Sequence, residues 1–275
     1  MEHRPSPVRK GTTVLQLSAN LTMLFTERDV VARFGAARAA GFSGVEFLFP
    51  YEHDVDAIEA ALKEHDLKLV LFNFPAGNFA AGERGIANDP SRVEQFRQGV
   101  VMAVELAERL GTPALNCLVG RELPGVPLEE QRRTMVENLR FAAEEAARQG
   151  VKACVEPLNT IDTPGFMLGT AREALALIDE TGHDNLWLQL DIYHEQRMAG
   201  NVTATFREFA SRIGHIQIAD SPERHQPGSG ELNYHYILDA IAESDYQGWV
   251  GLEFVPDPDT ESALREMREA GLLRL

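Results

Sequence analysis

Short apolar runs alternate along this chain with longer segments whose apolar residues return every three or four positions. The short runs predict strands: TVLQLSAN near 12–20, GVEFLF at 44–49, LKLVLFNF at 67–74, ALNCLV at 114–119, VKACVE at 151–156, LWLQLD at 186–191, GHIQIAD at 214–220 and WVGLEF at 249–254. Their near-continuous apolar character implies burial on both faces, as in a parallel sheet under helices. The longer segments predict helices, among them ERDVVARFGAARAAG, DVDAIEAALKEHD, LEEQRRTMVENLRFAAEEAARQG and TAREALALIDETG. DPSRVEQFRQGVVMAVELAERLG carries its own boundaries: an aspartate, a proline at the first helical position and a closing glycine. NVTATFREFASRIG, NYHYILDAIAES and TESALREMREAG complete the set.

Eight strand–helix units in about 250 residues predict a single-domain (β/α)₈ barrel. A doubly wound open sheet is the rival. It usually has fewer strands, and the segment after the first strand, SANLTMLF, has no glycine-rich fingerprint. No long linker interrupts the rhythm, so the barrel is expected to span 12–275, behind a short flexible leader at 1–11. The longest insertions, PAGNFAAGERGIA at 75–87 and SPERHQPGSGELN at 221–233, both follow strands, on the side where a barrel keeps its active site.

Composition narrows the class. The 275 residues are 44% hydrophobic and 25% charged, ordinary values for a soluble globular protein. No apolar run reaches the roughly 18 residues of a membrane span. The N-terminal MEHRPSPVRKG has no apolar segment behind it, so no secretion signal is read and a cytoplasmic location is expected. Cys117 and Cys154 each lie in an apolar run and read as reduced core residues. The net charge of −16 speaks against nucleic acid, whose binding rests on lysine and arginine. The glutamate-rich helical runs read as solvated faces.

The strand ends carry the chemistry. Glu46, Asn73, Asn116, Glu156, Asp191, Gln217 and Glu253 all fall at or near the C-terminal ends of predicted strands, which converge on one site in a barrel. Glu156, Asp191, Gln217 and Glu253 lie in order on strands five to eight. This all-oxygen set suits a hard or borderline divalent cation, magnesium or manganese, and lacks the thiolates and imidazoles preferred by zinc.

The segments GVEFLFPYEHD, NFPAGNFAAGERGIA, NCLVGR, VEPLNTIDTPGF, LQLDIYHEQRMAG, HIQIADSPERHQPGSGELNY and GWVGLEF together resemble the hydroxypyruvate isomerase family, from about Ser18 to Pro256. That family sits in a wider group of barrels that resemble xylose isomerase and the ketose 3-epimerases. The resemblance implies a rearrangement of a small hydroxy-oxo acid, in the setting of glyoxylate metabolism. It implies Glu156 and Glu253 as the proton-transfer pair, and Glu156, Asp191, Gln217 and Glu253 as the metal set. Many members of the wider group carry histidine where this chain has Gln217. An amide oxygen is a weaker ligand than imidazole, so a lower metal affinity is expected.

The substrate carboxylate would need a cation. Arg224 is the first candidate, since a guanidinium grips a carboxylate with two hydrogen bonds. Arg84 and Arg121 follow. His194, three residues past Asp191, is expected to bond a substrate oxygen or to orient the aspartate. Glu46 and Asn73 are expected at the substrate or at the barrel floor, Asp162 beside a water or hydroxyl, and Phe79 in a lid over the site. A homo-oligomer is the one protein partner that the resemblance suggests. Two other readings stay open. One is different carbonyl chemistry on the same barrel: a 2-oxo-tetronate isomerase, a sugar 3-epimerase or an inosose dehydratase. The other is a phosphodiesterase of the endonuclease IV type, which would want a histidine cluster and a basic groove.

Overall fold

A computed structural model describes residues 14–275; the leader expected at 1–11 lies outside the described residues. Eight parallel strands close into a barrel in chain order: β1 (Gln16–Asn20), β2 (Gly44–Glu46), β3 (Lys68–Asn73), β4 (Ala114–Cys117), β5 (Lys152–Val155), β6 (Leu186–Asp191), β7 (Ile213–Ile218) and β8 (Trp249–Leu252). The last strand pairs with the first, Ser18 opposite Gly251, so no sheet edge is left open.

Helices cover the outside: α1 (Val30–Ala39), α2 (Val55–Glu64), α3 (Val93–Leu110), α4 (Leu128–Arg148), α5 (Ala171–Thr181), α6 (Ile192–Met198), α7 (Val202–Phe209), α8 (Tyr234–Ala242) and α9 (Thr260–Glu269). Seven of the predicted strands run past the observed ones at one end or both. After Glu46 the chain leaves the sheet, yet Phe47 stays buried against Phe34 and His53. Its apolarity belongs to the core under the loop, not to the strand. The seven-residue helix α6 was not foreseen. Asp191 starts it, its Oδ1 accepting from the Tyr193 amide at 2.7 Å.

The main core lies between strands and helices, where Leu17, Val45, Phe34, Val100 and Leu139 are buried. The barrel interior is unusually polar. Ser18, Glu46, Gln189, His215 and Gln217 are all buried. β2 and β7 are not neighbours in the sheet, so the 2.8 Å bond from His215 Nε2 to Glu46 Oε1 crosses the interior. Gly251 leaves room for it: a β-carbon there would lie 1.8 Å from Glu46 Oε1.

Candidate active site

Side chains alternate along a strand, so residues two apart share a face. That places Gly251 and Glu253 on one face of β8 and its extension, and Gln189 and Asp191 on one face of β6. At the C-terminal mouth the strand-end residues form a ring, joined by hydrogen bonds into two groups. Asn116 Nδ2 donates to Glu156 Oε2 at 2.7 Å and to Asn73 Oδ1 at 3.2 Å. Asn20 Nδ2 donates to Glu253 Oε1 at 3.2 Å and lies 3.4 Å from Glu46 Oε2. Asn20 is a site residue that the sequence reading missed. The signal was available, since the predicted first strand also ends in asparagine.

Arg224 enters from the loop after β7 and ties Glu253 to Asp191. Its Nη2 donates to Glu253 Oε2 at 2.6 Å and to Asp191 Oδ2 at 3.2 Å. Its backbone sits in the left-handed region, at φ 60°, a costly state for a residue with a side chain. The Arg224 carbonyl, accepting from the Val255 amide at 2.8 Å, and the Tyr193 ring, 5.1 Å from the guanidinium, keep it there. Arg224 was expected to grip a substrate carboxylate. In the structure its charge is already met by two protein carboxylates.

His194 projects from α6. Its Nδ1 accepts from the Asn159 backbone amide at 3.1 Å, so in the neutral ring the proton sits on Nε2. Burial is the main cause that pushes its pKa down to about 3, with Arg224 adding to the effect, and the ring is neutral. Nε2 lies 3.6 Å from Asp191 Oδ2, beyond hydrogen-bond reach, and is left as a donor within the site. Asp162 takes the Tyr193 hydroxyl at 2.5 Å and the Asn159 amide at 2.9 Å. It props the site's walls.

The electrostatics are those of crowded carboxyls. Burial, then the charges of Glu253 and Asp191, push Glu156 well above its ordinary value. Burial also raises Glu253, to about 8, against the pull of Arg224. Glu156, Asp191 and His194 each bring one ligand-type atom within 4.8 Å of the others. Three buried carboxyl groups at one mouth offer an oxygen-rich donor set of the kind that a hard divalent cation takes. Gln217 is placed differently from the expected open ligand. Its Nε2 donates to Glu46 Oε2 at 2.8 Å, and its Oε1 accepts from Gln189 Nε2 at 2.6 Å. One lone pair of that carbonyl remains.

Glu46 lies below the ring, bonded to Ser18, His215 and Gln217. Asn73 is within the ring, through Asn116. Arg84 and Arg121 sit apart from the ring, on the loops after β3 and β4, where they share a cavity. Phe79 packs on Phe49, ring centroids 4.8 Å apart, on the same side of the barrel.

A family model described as a xylose isomerase-like TIM barrel matches residues 34–270. The chain is 49% identical over 254 residues to a hydroxypyruvate isomerase from Escherichia coli (strain K12), covering 92% of this chain and 98% of that protein. It is 41% identical over 249 residues to a 2-oxo-tetronate isomerase from Cupriavidus necator, covering 90% and 96% respectively. A crystal structure described as an AP endonuclease, family 2, from Brucella melitensis superposes with a TM-score of 0.90 at 40% identity, covering 93% of this chain and 99% of that one.

Proposed function

The chain belongs to the hydroxypyruvate isomerase family of xylose isomerase-like TIM barrels, and from that premise we propose that it interconverts hydroxypyruvate and tartronate semialdehyde (2-hydroxy-3-oxopropanoate). The observation that carries the reading is the pair of buried carboxyls, Glu156 and Glu253, in one ring with Asp191 and Arg224. The reaction needs a base to take a proton from C3 of the keto acid. The electron pair then forms the C2–C3 double bond, and the C2 oxygen becomes an oxyanion. Protonation at C2, with the C3 hydroxyl proton passing to the C2 oxygen, yields the aldehyde.

Two carboxyls can do this work when one is protonated while the other is ionised. Burial holds protons on the pair above the ordinary carboxyl range, and their titrations belong to the pair together. Arg224 touches Glu253 and not Glu156, which makes the two carboxyls unequal. The neutral His194 ring offers Nε2–H to an ene-diolate oxygen without lending its own proton. A divalent cation, magnesium or manganese, would be held by Glu156, Asp191 and Glu253 with the remaining lone pair of the Gln217 carbonyl, and would supply Lewis-acid stabilisation of the ene-diolate.

Proton NMR of hydroxypyruvate in D2O, with magnesium and then with EDTA, tests the reading. The expected result is conversion with deuterium incorporation, lost in Glu156→Gln and Glu253→Gln. Absence of both conversion and exchange in the wild type would sink it. The 41% identity to a 2-oxo-tetronate isomerase supports a second reading, the same proton transfer on a four-carbon acid. A 2-oxo-tetronate is therefore the second substrate in the same tube. The endonuclease reading has little support: the metal-ligand cluster among the described residues has one histidine, and the net charge is −16.

A further inference from the structure

Each glutamate of the pair is held by an asparagine on the neighbouring strand. Asn116 stands opposite Cys154 in the register of β4 with β5, and Glu156 follows Cys154 by two residues, on the same face. Asn116 Nδ2 donates to Glu156 Oε2 at 2.7 Å. Where the barrel closes, Ala19 stands opposite Leu252, which brings Asn20 beside Glu253. Asn20 Nδ2 donates to Glu253 Oε1 at 3.2 Å. Both asparagines are fully buried.

The two amides differ at their oxygens. Asn20 Oδ1 accepts from the Thr22 amide at 3.0 Å. Asn116 Oδ1 is buried and meets no donor among the described residues. The amide cannot turn over to help it, because Nδ2 already uses both protons, on Glu156 and on Asn73 Oδ1 at 3.2 Å. Nδ2 and Oδ1 belong to one planar group, so Oδ1 lies within about 5 Å of Glu156 Oε2. A buried acceptor without a donor is destabilising. Beside a carboxyl of the proton-transfer pair, it suits a ligand that brings a hydroxyl. The hydroxyl of hydroxypyruvate is on C3, the carbon whose proton moves. Glu156 Oε1 accepts no hydrogen bond among the described residues, which leaves it for proton transfer.

We propose that Asn116 contacts the substrate: Oδ1 accepts the C3 hydroxyl of the hydroxy-oxo acid, while Nδ2 holds Glu156 beside the same carbon. Asn20 is its counterpart at Glu253, a positioning residue whose own oxygen is already met. This inference rests on the isomerase reading for the identity of the acid, though not for the contact to a hydroxyl.

D-glycerate and D-lactate cannot isomerise and differ only by the C3 hydroxyl. Each is titrated calorimetrically, with magnesium present, into the full chain and its Asn116→Leu, Asn116→Ala and Asn20→Leu variants. Hydroxypyruvate kinetics and melting temperatures are read alongside. The wild type should prefer D-glycerate by about five- to fiftyfold, as expected where a ligand satisfies a buried acceptor. Both Asn116 variants should bring that preference close to one, and Asn20→Leu should keep it. Both leucine variants should lower kcat by about ten- to a hundredfold through a misplaced carboxyl. KM for hydroxypyruvate should rise in Asn116→Leu and hold in Asn20→Leu. A wild type with no preference, or one that binds neither acid, would overturn the proposal. So would a preference that survives in the Asn116 variants. An equal loss of preference in Asn20→Leu would also overturn it, since general loosening of the site would then explain the effect. If the preference depends on Asn116 but hydroxypyruvate is not turned over, the hydroxyl contact stands and the isomerase reading falls.

Discussion

Glu46 is met by four side chains inside the barrel: Ser18, His215 and Gln217 at 2.8 Å each, and Asn20 at 3.4 Å. Burial alone would raise its pKa, but the His215 charge and the hydrogen bonds from His215, Gln217 and Ser18 overcome it and leave a net depression. A depressed carboxyl contributes stability that is present above its unfolded value, about 4.5, and is lost as pH falls through the folded value. Glu46→Gln should therefore cost about 3–5 kcal/mol at pH 7, the usual cost of breaking a buried pair. The gap to wild type should narrow as pH falls below about 4.5. Urea midpoints of both proteins at pH 7, 5 and 3.5 check this; a gap that stays constant across the series would rule it out. Glu46 was legible as a strand-end carboxylate, but its partners were not. His215 lies 169 positions away, and only closure of the barrel brings the two together.

At the scale of elements, local signals and long-range demands separate cleanly. Helix α5 begins with a capping box: the Thr170 hydroxyl accepts from the Glu173 amide at 3.3 Å, and the Glu173 carboxylate accepts from the Thr170 amide at 3.0 Å. Thr170→Ala should lower stability by about 1 kcal/mol with little change in activity, read as a shift in urea midpoint at constant slope. Strand β8 obeys a demand from across the barrel. Gly251→Ala would drive a β-carbon into Glu46, two residues before Glu253. Overpacking of this kind costs about 1–3 kcal/mol, and here it should also displace Glu253, so kcat should fall together with the melting temperature. An alanine variant that keeps full activity would contradict this account. Helix α6 escaped the sequence reading because its seven residues directly follow a strand, with no room for a periodic pattern. Its one local signal was Asp191 in the cap position, which had been read as a site ligand. It serves both ways: Oδ1 caps the helix while Oδ2 faces Arg224.

For the molecule as a whole, the ring of carboxylates carries a thermodynamic consequence. A cation that binds only the folded state stabilises it by mass action, about 2.7 kcal/mol at a hundredfold excess over Kd. For a chain of this size that is a rise in Tm of roughly 5–10 °C. Magnesium or manganese should raise the wild-type Tm, EDTA should reverse it, and Asp191→Asn should remove the response. A Tm indifferent to both cations would separate the carboxylates from any metal role.

Much of this architecture was determined by the chain read alone. Apolar runs long enough to need cover on both faces, alternating eight times with amphipathic segments, admit few folds but a closed parallel barrel. Strand-end positions then place Glu156, Asp191 and Glu253 at one mouth, because each strand ends there. What only the tertiary structure decided is which charges meet. Arg224 could equally have faced substrate, yet a left-handed backbone turn and the Val255 pairing direct it onto Asp191 and Glu253. Gln217 turned to Glu46 and Gln189, and among the described residues Arg84 and Arg121 make no ion pair. The reason is physical. Strand and helix periodicity is written in neighbours a few residues apart, whereas electrostatic pairing depends on distances of 3 to 4 Å between groups far apart along the chain, which exist only once the barrel has closed.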